Sequence, residues 1–113
     1  MDMSFPTVLY TTAAPASGAL VASGHVVLYS LRAQNGNAAR RYVQLFDAAG
    51  VPPDGSVPLM ILGLEGSADK EWHCQGTPRF FRTGLVWAFS STNNAHTLAA
   101  PECWLEAQYV MLG

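Results

Sequence analysis

The sequence predicts an all-β fold, a single antiparallel β-sandwich of jelly-roll or immunoglobulin-like type with about eight strands and an extended N-terminal arm. Three observations carry this expectation. Turn signals recur about every eight to twelve residues, at Gly24, Asn35-Gly36-Asn37, Ala49-Gly50, Pro52-Pro53-Asp54-Gly55, Gly66-Ser67, Gly76-Thr77-Pro78, Thr83-Gly84 and Thr92-Asn93-Asn94. Between them lie short runs rich in β-branched and aromatic residues, which suit a pleated, half-buried surface. The chain has 113 residues, enough for one core that buries roughly two-thirds of the unfolded surface but not for a second. The expected division is an arm over residues 1–18 and a sandwich domain over residues 19–113.

The elements follow in order. Residues 5–16 show no strong period and read as an extended arm. Phe5, Val8, Leu9 and Tyr10 would be costly to leave in water, so the arm is expected to dock, with its own sheet and a neighbour's both open. Strands are expected over residues 26–33, 40–46, 58–65, 69–74, 79–82, 85–91 and 104–111, and the N-terminal segment adds the eighth. Asn35-Gly36 has the residue preference of a type I′ turn, whose central positions need positive φ; a short loop there would join the first two long strands as a hairpin. Leu59-Met60-Ile61-Leu62-Gly63-Leu64 is apolar on both faces, which asks for a central position or for cover on the outside. Trp87, in Leu85-Val86-Trp87-Ala88-Phe89, reads as core. In the last segment Leu105, Ala107, Tyr109 and Met111 share one face, and Trp104, Glu106, Gln108 and Val110 the other. A helix starting at Pro101 competes for this segment, but period 2 fits at least as well as period 3.6.

Composition narrows the function. Only 12% of the residues are charged while 50% are hydrophobic, which excludes disorder. Fourteen charges (6 basic and 8 acidic) on a folded area of about 6,000 Å² leave roughly one per 400 Å², so part of the surface is expected to be covered by neighbours. A net charge of −2, with Lys70 and five scattered arginines, provides no basic stripe for nucleic acid. The N-terminal residues lack the pattern of a secretory signal, and the longest apolar run, residues 57–64, is far short of a membrane span; folding in the cytoplasm is expected. Cys74 and Cys103 are then expected as free, buried thiols.

No catalytic or cofactor signature stands out. His73 and Cys74 are adjacent on a strand and point to opposite faces, no ligand spacing for zinc is present, and no cofactor is implied. A small hydrolase using Cys74 or Cys103 would need a histidine from another strand, an oxyanion hole and a cleft, none of which the sequence signals. The eight carboxylates sit mainly in turns and at strand ends, where solvation explains them, and the glycine-rich phosphate-binding patterns are absent. Trp72 stands beside Lys70 and Glu71, and Trp104 lies on the polar face of its strand between Glu102 and Glu106. These two are the candidate outward anchors, because tryptophan buries a large area at little entropic cost.

A longer pattern appears from Arg40 onward. Arg41-Tyr42-Val43-Gln44-Leu45-Phe46-Asp47 is followed by Val51-Pro52-Pro53-Asp54-Gly55-Ser56-Val57-Pro58. Then come Phe81-Arg82-Thr83-Gly84-Leu85-Val86-Trp87-Ala88-Phe89-Ser90-Ser91-Thr92, Thr97-Leu98 and a closing Glu106-Ala107-Gln108-Tyr109. In this order the segments resemble small β-sandwich structural proteins of tailed bacteriophages. The chain departs from that pattern where Asp69-Lys70-Glu71-Trp72-His73-Cys74 replaces a glycine-rich polar turn. The resemblance implies a non-enzymatic head decoration or cement protein, folded in the host cytoplasm and placed on the capsid surface of the virion. Its partners would be the major capsid protein and further copies of itself, as a dimer or trimer. The alternative it leaves open is a tail- or fibre-associated module that binds a carbohydrate or receptor through Trp72 and Trp104. Under the first reading, Phe5, Val8, Leu9 and Tyr10 contact another chain, and deleting residues 1–12 weakens attachment while leaving the domain folded.

Overall fold

The computed structural model describes residues 7–74 and 76–112. Nine strands succeed one another: β1 (Val8–Thr11), β2 (Gly18–Ser23), β3 (Val26–Asn35), β4 (Arg41–Asp47), β5 (Met60–Leu64), β6 (Asp69–His73), β7 (Arg79–Phe81), β8 (Gly84–Ser90) and β9 (Cys103–Met111). They form two antiparallel sheets packed face to face. The first has the order β1-β9-β3-β6, with β7 continuing the same edge along the start of β3; the second has the order β2-β8-β4-β5.

The pairing has a simple logic. Strands β1, β2, β3 and β4 pair with β9, β8, the β6 and β7 pieces, and β5, as in one long antiparallel hairpin. Rolling that hairpin across two layers brings β3 beside β9 and β4 beside β8. This is the jelly-roll order, so of the two sandwich types expected it is the jelly roll that forms.

The inward rows build the core. Leu31 and Ala33 of β3, Leu105 and Ala107 of β9, Val43 and Leu45 of β4, and Leu85, Trp87 and Phe89 of β8 meet between the sheets, all nearly inaccessible. A bulge at Tyr29 shifts the phase of β3, so that Val26 and Leu28 also face inward before it. In β9 the expected alternation holds as far as Tyr109: Cys103, Leu105, Ala107 and Tyr109 are buried, and Trp104, Glu106 and Gln108 are exposed; at the strand end Val110 is buried and Met111 exposed, against expectation. The helix that competed for this segment does not form, because β9 pairs along its whole length with β3.

All seven expected strands are present, each within two residues of its expected ends. Three expectations are resolved. Of the two dockings open to the N-terminal segment, it takes its own chain: Val8–Thr11 pairs with β9, and Gly18–Ser23 is a strand of the other sheet. Asn35-Gly36 is not a hairpin turn, since β3 and β4 belong to different sheets and Gly36 is not in the positive-φ region. Gly36 is needed for another reason: its amide donates to the Glu102 carbonyl at 2.8 Å, and a Cβ would lie 2.6 Å from that oxygen. Finally, β5 is an edge strand; the strand buried on both faces is β8, which lies between β2 and β4.

The outer face of the second sheet is covered by chain rather than by another sheet. Residues 48–59 and 91–102 follow the inner strands β4 and β8 and are tied together by Gly55 N–H to His96 O (2.7 Å), His96 N–H to Ser56 O (2.8 Å) and Leu98 N–H to the Asp54 carboxylate (3.0 Å). Beside them Phe46, Val86 and Ala88 form a second, small apolar cluster outside the sandwich. The Asp47 carboxylate closes one corner by accepting from the backbone N–H groups of Arg82, Thr83 and Gly84. Desolvation pushes its pKa up, but these amides and the Arg82 charge outweigh it and hold the carboxyl below its ordinary value.

Candidate functional site

The open surface is the outer face of the first sheet. Because cross-strand partners share a face, Thr11, Glu106, Arg32 and Glu71 make one row across β1, β9, β3 and β6. Leu9, Gln108, Ser30 and His73 make the next row. Shallow grooves run along both rows, with Trp104 and Gln34 at one end. Arg32 is the centre of charge, 3.4 Å from Asp69 and 3.7 Å from Glu71, while His73 lies 3.3 Å from the other Glu71 oxygen. All these side chains are more than half exposed, so the pairs hold geometry and contribute little stability. Their hydrogen-bonding groups remain accessible to a ligand. Along the same face toward the start of β3, the row Val110, Val27 and Phe80 is apolar, with Phe80 63% exposed.

The proposed contact residues separate on this framework. Trp104 points outward and is 41% exposed. Trp72 pairs with inward-facing Leu31 and packs half-buried against the core, so it is not an outward anchor. The two tryptophans therefore lie on opposite faces of one sheet and share no platform. Leu9 is exposed, and Val8 is partly exposed on the edge strand. Tyr10 is turned inward: it packs on the core and its hydroxyl accepts a 3.2 Å hydrogen bond from the Trp87 indole. The expectation that Tyr10 contacts another chain is corrected accordingly. Phe5 lies outside the described residues.

The sandwich edges add a second kind of surface. An edge strand leaves alternate N–H and C=O groups unpaired, and charged side chains are the usual protection against unwanted pairing. Strand β6 carries Asp69, Lys70 and Glu71, and β7 carries Arg79. Strands β1, β2 and β5, which form the other three edges, carry no charged residue at all. Next to β5 the covering loops expose Val51, Val57, Leu59 and Leu98, with Val57 79% exposed.

Two buried amides were missed in the sequence. Asn35 carries a local turn signal, yet its side chain donates to the carbonyls of Ala39 (2.9 Å) and Glu65 (3.1 Å) and accepts from Asn37 N–H (2.8 Å). It thereby joins the β3–β4 and β5–β6 crossings at one end of the sandwich. Gln44, in the middle of an apolar strand, donates to the carbonyls of Thr92, Asn93 and Ala95, and its oxygen faces His96 Nδ1 at 3.0 Å. A polar residue between Val43 and Leu45 was the available signal.

Chemistry among the described residues is sparse. No group of three or more His, Cys, Asp or Glu side chains is placed to hold a metal ion. Both cysteines are free; Cys74 is half-buried rather than buried as expected, and burial pushes the Cys103 thiol up to about 12. Comparison with protein families, curated proteins and solved structures found no match to this chain.

Proposed function

We propose that this jelly-roll protein is a non-enzymatic structural component of a phage virion that binds the capsid surface, as a decoration or cement protein. The observation that carries the reading is that the strands at three of the four sheet edges carry no charged residue, a condition tolerable for a protein whose edges are covered after assembly. The ordered sequence resemblance to phage β-sandwich proteins supplies the capsid as partner. The exposed apolar loop residues beside β5 provide further area for that contact or for contact with another copy, as a dimer or trimer. Binding across joints between capsid subunits would stabilise the assembled state by mass action. The test is to purify virions of the encoding phage on a density gradient and count this protein against the major capsid protein by quantitative mass spectrometry. Similar copy numbers support the reading, a handful of copies moves the protein to the neck, tail or fibre, and absence from the virion refutes it.

A second reading, a carbohydrate- or receptor-binding module, is favoured by Trp104 standing at the end of a groove lined by Thr11, Arg32, Gln34 and Glu106. An aromatic face beside paired donors and acceptors suits a sugar ring. With Trp72 turned inward, this reading rests on Trp104 alone. A glycan-array signal abolished by Trp104→Ala supports it; no signal from the wild type removes it.

A further inference from the structure

His96 is the most deeply enclosed titratable side chain of the loop cover, 1% exposed, with its ring edge-on to Phe46 at 5.6 Å between centroids. The orientation of Gln44 is fixed, because its amide nitrogen is surrounded by the carbonyls of Thr92, Asn93 and Ala95. The Gln44 oxygen must therefore accept, so the neutral His96 ring carries its proton on Nδ1 and donates it there at 3.0 Å. That leaves Nε2 as a buried lone pair with no hydrogen-bond partner. The backbone of the same residue forms two of the bonds that tie residues 48–59 to residues 91–102.

We infer that His96 is a proton-sensitive pin: neutral, it holds the two loops closed over the second sheet, and its protonation releases them. Protonation at Nε2 would place a cation on an enclosed ring nitrogen that has no hydrogen-bond acceptor. Among the described residues the only charged group facing it is Asp54, 3.9 Å away, beyond hydrogen-bond reach and already accepting from Leu98 N–H. From β4 it meets the neutral Gln44 and Phe46, and its own loop contributes no charged side chain to the site. Burial lowers the His96 pKa, and Asp54 raises it only in part. The folded value thus lies below the ordinary 6.5, so closure is fully stabilised above pH 6.5 and weakens as the pH falls below it. One linked proton raises the opening constant by at most about tenfold per pH unit until the folded-state pKa is reached, or up to about thirtyfold at pH 5.0.

Hydrogen exchange measured by mass spectrometry at pH 7.5 and 5.0, corrected for intrinsic rates, tests the inference. Peptides covering residues 48–59 and 91–102 should open more at pH 5.0 than at pH 7.5, by no more than about thirtyfold. His96→Asn keeps a donor near the Nδ1 position but cannot be protonated, and should remove this dependence. Equal opening at both pH values in the wild type, or an undiminished response in the variant, would overturn the inference. Should the variant not fold, ring-nitrogen NMR of the wild type decides. An Nδ1–H tautomer titrating below 6.5 supports the pin; an Nε2–H tautomer, or a midpoint at or above 6.5, refutes it.

Discussion

Tyr10→Phe probes whether the N-terminal strand belongs to its own sandwich. The substitution keeps the ring that packs on the core and removes only the oxygen that accepts from the Trp87 indole. Trp87 is completely inaccessible, so its N–H loses its partner in a dry environment. Leaving a buried donor unsatisfied costs about 1–3 kcal/mol. The 3.2 Å separation is at the long end for N–H···O, and the half-buried Tyr10 lies near solvent, so the expected loss is in the lower part, about 1–2 kcal/mol. For a domain of this size that corresponds to a fall of roughly 4–8 °C in Tm. Thermal unfolding followed by near-ultraviolet circular dichroism, repeated over a hundredfold range of protein concentration, is the assay. A concentration-independent fall agrees with β1 docked on its own chain. A Tm within 1 °C of wild type at every concentration would refute the docking, and a concentration-dependent fall would place the strand on a neighbour. On the same reasoning, deleting residues 1–12 should destabilise the domain, because it removes Tyr10 and the whole β1–β9 register.

Two further outcomes are expected. Trp72→Ala should cost about 2–3 kcal/mol in urea unfolding, because its half-buried ring packs on the core, whereas Trp104→Ala on the outer face should stay within about 0.5 kcal/mol; equal costs would contradict the assignment of faces. In iodoacetamide labelling at pH 8, Cys74 should be alkylated well before Cys103, whose buried thiol titrates only at about 12; faster modification of Cys103 in the folded protein would contradict its enclosure.

Much of the fold is legible in the chain because strand formation depends on local alternation and punctuation. The period-2 rows of β9 and the enclosed run at β8 are visible residue by residue, and turn residues bracket both. Trp104 was readable as outward from its place among Glu106 and Gln108, since neighbours two apart on a strand share a face. Trp72 was not. It also stands among charges, but Glu71 belongs to the outer face of β6 while Lys70 shares the face of Trp72, and only the pairing with Leu31 shows that the ring faces inward.

Asn35, Gln44 and His96 show why the rest was not legible. Asn35-Gly36 is a good local turn signal, yet the chain there crosses between sheets, and the Asn35 amide is committed to carbonyls about thirty residues away. Gln44 and His96, on a strand and a loop about fifty residues apart, are brought together only when β4 and β8 pair and residues 91–102 fold back over them. By itself the sequence determined the all-β class, seven strand positions, the low surface charge and the polar face of the last strand, because each depends on residues near one another in the chain. The tertiary structure alone decided the jelly-roll order, the docking of β1, which edges stay uncharged and what covers the second sheet. Those depend on non-local pairing, and local sequence does not encode which distant strand supplies the hydrogen bonds.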